Sequence, residues 1–222
     1  MFKRLFLPLS LLLFSLSCSA QDGAAPAAQD VTFNAGEHYD VISNQVARTA
    51  ARDKIEVAEF FWYGCGHCYA FEPMLQEWKK GLPEDVEFRH IPAVWHTAME
   101  LHARAFYTAE VLGVMDTIHP VIFQAMNVDR KRLQSEEEIA ALFTANGVSR
   151  EDFDKTFNSF GVSSQVRQSA AAAKSSGMTG TPSMMVEGKY LISTQKAGGQ
   201  PEMLQVADFL VQKERAARVA KK

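Results

Sequence analysis

The junction at residues 55–68 constrains this chain more than any other stretch. Ile55 to Tyr63 (IEVAEFFWY) is nearly continuous in apolar, aromatic and β-branched residues, as expected for a central strand buried on both faces. Gly64 breaks that run. From Gly66 to Lys80 the spacing turns helical, with Tyr69 or Ala70, Pro73 or Met74, and Trp78 recurring at intervals of three and four. Pro73 falls inside the helix, where a kink is expected. Cys65-Gly66-His67-Cys68 therefore stands where a buried strand ends and a helix begins. Two cysteines at this spacing on a first helical turn can bring their sulfurs within bonding distance. The first lies at the helix N-terminus, where free backbone N–H groups and the positive dipole end favour thiolate over thiol. Each pKa unit of depression favours the ionised form by about 1.36 kcal/mol. His67, when protonated, adds a positive charge in the same turn. A stabilised thiolate stabilises the reduced pair, so its disulfide becomes the better oxidant.

The flanking text supplies the rest of an α/β chain. Tyr39 to Ser43 is a short β-prone run, and Val86 to Ala93 (VEFRHIPA) reads as the next strand, giving a β-α-β unit with a right-handed crossover. Residues 97–176 are helical almost throughout. Ile139, Leu142 and Phe143 share one face, Phe153, Phe157 and Phe160 another, and Val166, Ala170 and Ala173 a third, with Ser163 and Ser164 as expected caps. These aromatic stripes read as core. Gly177, Gly180 and Pro182 end the helical text. Ser183 to Val186 and Lys189 to Ser193 form a hairpin around Glu187-Gly188. Pro201 opens a last amphipathic helix through Met203, Leu204, Ala207, Leu210 and Val211. Its basic end (Lys213, Arg215, Arg218, Lys221, Lys222) complements the helix dipole and continues as a solvated tail. His96, His102 and His119 fall in helical text without metal-ligand spacing, and there are no internal repeats.

Composition excludes several classes. A formal charge of −3 and a pI near 6.1 leave no cationic excess for coating nucleic acid. With 13 Gly and 8 Pro in 222 residues the chain is neither fibrous nor disordered, and 3 Cys cannot staple a disulfide scaffold. At the N-terminus, Lys3 and Arg4 precede an apolar run from Leu5 to Ser17, and Cys18-Ser19-Ala20 offers small residues before a cut after Ala20. This is the pattern of a secretory signal peptide over 1–20; the run is too short for a membrane span, which needs about 20 apolar residues. Cys18, following Leu16-Ser17, also stands as the acceptor cysteine of a bacterial lipoprotein would, although Ser15 occupies the place of the usual leucine. With ordinary cleavage only Cys65 and Cys68 remain. In an oxidising compartment such a lone pair is redox-active rather than zinc-binding, since no further cysteine completes a four-ligand site.

EFFWYGCGHCYAFEP at 59–73, followed much later by Gly180-Thr181-Pro182, resembles the DsbA family of thioredoxin-fold disulfide oxidases. The resemblance spans nearly the whole chain after the signal peptide, and it implies a thioredoxin-like fold with an inserted all-helical domain. The expected organisation is a flexible leader at 21–36, the first part of the thioredoxin-like domain at 37–96, a helical insert at 97–176, the second part at 177–216 and a basic tail at 217–222. By the same resemblance Cys65 is the exposed nucleophile, Cys68 its buried partner, and Thr181-Pro182 a cis-proline loop that, with Gly66, faces the substrate. Glu59 matches a buried acid beneath the pair, a proton-handling group, and Glu72 an acid on the following helix. Arg89 or His90 stands where relatives place a lysine near Glu59.

The function implied is that of a periplasmic thiol:disulfide oxidase, monomeric and without organic cofactor or metal. It would act on unfolded or partly folded exported polypeptides and be reoxidised by a membrane-bound, quinone-linked partner of the DsbB type. Three rivals stand beside it. A disulfide isomerase would carry a dimerisation domain, for which 21–53 is too short. A thioredoxin-type reductase would lack the insert, and a peptide-binding holdase using the groove beside Pro182 would not need the cysteines.

Overall fold

A computed structural model describes residues 32–220; the signal peptide, Cys18 and the leader up to residue 31 lie outside the described residues. Strand β2 (Ile55–Phe61) is buried at every position, as its unbroken apolar run demands. It occupies the interior of a five-stranded sheet with β1 (Asp40–Val41), β3 (Val86–Pro92), β4 (Ser183–Val186) and β5 (Tyr190–Ser193), in the order β1-β5-β4-β2-β3. The β2–β3 pair is parallel and joined through helix α1 (Gly66–Lys80); the other pairs are antiparallel. Helix α1 runs through Pro73. The hairpin between β4 and β5 turns on Glu187 and Gly188, both at positive φ (56° and 64°), the conformation that the two central residues of a type I′ turn need. A Cβ at Gly188 would stand 2.1 Å from the Val46 carbonyl oxygen, so the turn also needs glycine for its close approach.

Between β3 and β4 the chain is helical: α2 (Thr97–Val111), α3 (Met115–Asn127), α4 (Glu136–Ala145), α5 (Arg150–Phe157) and α6 (Phe160–Ser176). A short α7 (Thr194–Ala197), not read from the sequence, precedes α8 (Gln200–Val219). Alternation along β2 assigns its two faces. Ile55 and Val57 join Phe71 and Leu75 of α1 and Leu204 and Leu210 of α8 in one core cluster. Ala58 and Phe60 pack on the other side with Met99 of α2 and Ala173 of α6. The helices hold a third cluster around Phe123, Phe143, Phe153 and Phe157 that reaches the end of β2 at Phe61 and Tyr63.

Several expectations need correction. The cap of α6 is Ser159, whose hydroxyl accepts from Val162 N–H; Ser163 lies inside the first turn and binds the Ser159 carbonyl. Because a new helix starts there, the stripe begun by Phe153 and Phe157 is interrupted, and Phe160 is 81% exposed. As far as residue 220 the basic end of α8 is docked rather than solvated; Lys221 and Lys222 lie outside the described residues. Arg215 makes a two-pronged contact with Asp85, Arg218 donates to the Asp53 and Lys54 carbonyls and to Glu187, and Lys213 donates to the Tyr39 hydroxyl. Ordered packing also begins before residue 37, since Phe33 is buried against Phe209 and His38. None of the described helices is long and apolar enough to cross a membrane.

Candidate active site

Cys65 is the N-cap of α1, with extended backbone (φ −91°, ψ 111°) and no side-chain cap beneath the first turn. The strand-to-helix corner that places it depends on Gly64, where a Cβ would fall 2.4 Å from the Trp62 ring. The corner is pinned further by the Cys65 N–H bond to the Trp62 carbonyl. The Trp62 indole N–H donates to His102 Nδ1 at 2.9 Å, and Asn127 at the end of α3 donates to the Tyr63 carbonyl at 2.8 Å. Both anchors come from the helical segment, so helices α2 and α3 hold the loop that carries the cysteine.

The two cysteines are thiols here, and they differ sharply. Cys65 is partly exposed, whereas Cys68 is wholly buried. The Cys68 thiol beside it holds the Cys65 pKa down to about 5, with the Thr181 side chain and the Cys68 and His67 amides acting in the same sense against burial. The Thr181 carbonyl, 3.3 Å from the Cys65 sulfur, would keep a proton on it, but the donors outnumber this one acceptor. Burial above all pushes the Cys68 thiol far up. His67 acts on Cys65 through its amide; its imidazole is exposed, and its carbonyl accepts from Gln200. Gly66 is exposed beside open space, the nearest atom to an added Cβ being Asn127 Oδ1 at 3.9 Å. Across from the pair, Thr181 is half-buried, Pro182 is buried, and the bond joining them is cis.

Glu59 points from β2 to the α1 face of the sheet and is wholly buried. Parallel pairing sets Glu59 beside His90 and Ala58 beside Arg89, so the register decides which basic residue meets the acid. His90 shares its face, with Nε2 3.5 Å from Glu59 Oε2. Arg89 lies on the opposite face, 3.1 Å from Glu56. Neither Glu59 oxygen has a hydrogen-bond partner among the described residues. Burial first, then repulsion from Glu72 and Cys65, raises its pKa well above the usual carboxylate range. Glu72 of α1 lies 4.0 Å from His90 Nε2 and 3.5 Å from His119 Nε2, and it accepts from Gln76. Burial opposes its ionisation, but the His119 and His90 imidazoles and Gln76 hold it at about 2. Burial drives His90 down to about 3, so its imidazole is neutral near pH 7.

The sequence-derived site residues Cys65, Gly66, His67, Cys68, Thr181 and Pro182 thus meet at one end of α1, with Glu59 and Glu72 beneath. Tyr63, His90 and His119 complete the buried layer: His119 Nδ1 is 2.7 Å from the Tyr63 hydroxyl. His119 and Tyr63 carry no local signal of this, because α3 comes alongside only through tertiary packing.

The family model of the DSBA-like thioredoxin domain matches residues 56–210. The chain is 41% identical to the thiol:disulfide interchange protein DsbA of Pseudomonas aeruginosa over 191 residues, 86% of this chain and 90% of that protein. It is also 41% identical to that of Pseudomonas syringae pv. tomato over 199 residues, 90% of this chain and 92% of the relative. The crystal structure of Pseudomonas aeruginosa DsbA superposes with a TM-score of 0.80 at 41% identity, covering 86% of this chain and 97% of the other. That of the oxidoreductase DsbA from Xylella fastidiosa gives 0.77 at 32% identity, covering 82% and 98%. A CxxC pair at the head of α1, a cis-proline loop against it and these likenesses lead to one conclusion: the chain belongs to the DsbA family of thioredoxin-fold thiol:disulfide oxidoreductases.

Proposed function

We propose that the protein donates a Cys65–Cys68 disulfide to newly exported polypeptides in the periplasm. The observation that carries this reading is the asymmetry of the pair: Cys65 accessible with a pKa near 5, Cys68 buried and strongly protonated. A substrate thiolate attacks the Cys65 sulfur; the Cys65–Cys68 bond breaks, a mixed disulfide forms, and Cys68 leaves and takes up a proton. Glu59, buried beneath the pair and acting electrostatically on Cys68, is the group assigned to that proton exchange. The substrate's second thiolate then attacks its own sulfur and expels Cys65, a good leaving group because its thiolate is stable. Two electrons pass from substrate to enzyme, and substrate leaves with the disulfide.

Thr181 and Pro182 present backbone opposite Cys65 for an extended substrate, while Gly66 leaves room beside the pair and His67 lines its rim. Each turnover ends with both thiols reduced, so an external oxidant must restore the bond, and a membrane-bound, quinone-linked oxidase of the DsbB type fits that need. Trapping tests the assignment. Cys68→Ala should accumulate mixed disulfides with reduced, unfolded polypeptides on non-reducing gels, because nothing within the enzyme resolves them, and Cys65→Ala should accumulate almost none. Equal adducts on both variants would overturn the roles given to the two cysteines.

A further inference from the structure

Seven buried side-chain nitrogen and oxygen atoms lack a hydrogen-bond partner among the described residues, and four of them belong to Glu59, His90 and His119. They meet at one place, beside Glu72 under α1. Buried polar atoms ordinarily find partners, because leaving one unpaired costs about 1–3 kcal/mol. Each of the two imidazole nitrogens has a carboxylate oxygen at 3.5 Å without a formed hydrogen bond, an arrangement that an ion held among them completes.

We propose that Glu72, His90 and His119 form a binding site for a divalent transition-metal ion, with Zn2+ the ion their chemistry fits best. One carboxylate oxygen of Glu72 and one ring nitrogen of each histidine all lie within 4.8 Å of one another. Glu72 Oε1 is 3.5 Å from His119 Nε2, and its other oxygen, Oε2, is 4.0 Å from His90 Nε2. A tetrahedral ion with ligands at roughly 2.0–2.1 Å holds them about 3.4 Å apart, so the His119–Glu72 pair already stands at nearly that separation and the set as a whole closes from within 4.8 Å by small side-chain rotations. Two imidazoles and one carboxylate suit zinc, whereas Mg2+ and Ca2+ take oxygen donors almost exclusively.

The surroundings have the features of a built site. His119 Nδ1 is engaged by the Tyr63 hydroxyl, which fixes the ring and leaves Nε2 facing the cluster, as outer partners of metal-binding histidines do. Glu72 is steadied by Gln76. The fourth position falls towards Glu59, whose Oε2 is 3.5 Å from His90 Nε2 and free to accept from a bound water. Lys79 adds a positive charge to the neighbourhood, yet among the described ion pairs it makes none with Glu59 or Glu72; its ammonium lies over the Phe88 ring. The three ligands come from α1, β3 and α3, so an ion here cross-links the helical segment to the sheet and its covering helix. The sequence separations, 72 to 90 to 119, hide the arrangement entirely.

The test is calorimetric titration of Zn2+ into the oxidised protein, whose cysteines are then joined and unable to bind metal. One ion per chain is expected, with affinity falling at least tenfold in His90→Gln, His119→Gln and Glu72→Gln, and about tenfold in Tyr63→Phe. Substituting Co2+ should give a tetrahedral ligand-field spectrum without sulfur charge transfer. Because the variants alter a buried cluster, the unmodified chain supplies an independent measurement: Zn2+ should shift the imidazole NMR signals of His90 and His119 and leave those of His38, His67 and His96 in place. Absence of saturable binding, binding that persists unchanged in folded His90→Gln and His119→Gln proteins, or shifts confined to the exposed histidines would each overturn the site.

Discussion

The low pKa of Cys65 has an unexpected principal source, and Cys68→Ala exposes it. At about 5, Cys65 at pH 7 is ionised in a ratio of about 100 to 1, whereas a free thiol near 8.5 would be only a few per cent thiolate. The largest contribution is the Cys68 thiol donating to the Cys65 sulfur; the amides of His67 and Cys68 come lower. A hydrogen bond to a charged acceptor is worth about 1.5–3 kcal/mol, and S–H is a weak donor, so the lower half of that range applies. At 1.36 kcal/mol per pKa unit, its loss raises Cys65 by about one to two units. The variant should therefore titrate at about 6–7, still below a free thiol because the amides and the Thr181 side chain remain. Thiolate absorbance at 240 nm followed against pH, in reduced wild type and in Cys68→Ala, measures both values. A variant unchanged near 5 would show that the helix terminus alone sets the pKa; one near 8.5 would show that it contributes nothing. The folded value lies below the unfolded one, so thiolate stabilisation of the reduced protein is complete above about 8.5 and is lost as pH falls through about 5.

With Cys65 ionised and Cys68 protonated, reduction takes up one proton per two electrons, so the potential should fall by about 30 mV per pH unit between about 5 and 8 and by about 59 mV below 5; a single 59 mV slope in glutathione equilibria across that range would contradict the assigned pKa. Gly66→Pro should raise Tm by about 1–4 °C in a thermal melt, since Gly66 is the first helical residue and Cys65 already has the extended backbone a following proline requires; a fall in Tm would mean that the Gly66 amide has a partner. Phe153→Ala, which removes a ring packed 4.9 Å from both Phe143 and Phe157, should cost about 3–5 kcal/mol by denaturant unfolding. Arg218→Ala should cost about 1–2 kcal/mol in the same assay, through three lost bonds, to the Asp53 and Lys54 carbonyls and to the buried Glu187 carboxylate, the last two keeping Arg48 as a partner; no change would restore the view of that end as a solvated tail.

What was readable from the chain is what short-range periodicity encodes. The unbroken apolar run places β2 in the sheet interior, and the change of period after Gly64 locates α1 at Gly66–Lys80. From those two elements alone follow a cysteine at a helix N-terminus and a second one three residues on in the first turn; that the second is buried came with the family resemblance. The hairpin at Glu187-Gly188 is equally local, because its turn demands two residues at positive φ. The family resemblance, carried by residues 59–73 and 180–182, added the cis-proline loop, which no local pattern encodes.

Tertiary structure alone decided the neighbours. The spacing of Arg89 and His90 does not say which one meets Glu59; the β2–β3 register does, and it delivers His90 to the acid and Arg89 to Glu56. Periodicity carried the aromatic stripe on to Phe160, but Ser159 starts a new helix there and turns that ring to solvent. The cations of α8 read as a tail, yet folding brings Asp85, Glu187 and the Lys54 carbonyl to meet them. His119 looked like any helical histidine until α3 packed beside α1 and faced it with Glu72, Tyr63 and His90. A sequence period specifies which side of an element is buried; which side chain waits across the interface depends on strand register and helix packing, and these are set by contacts between residues distant in the chain.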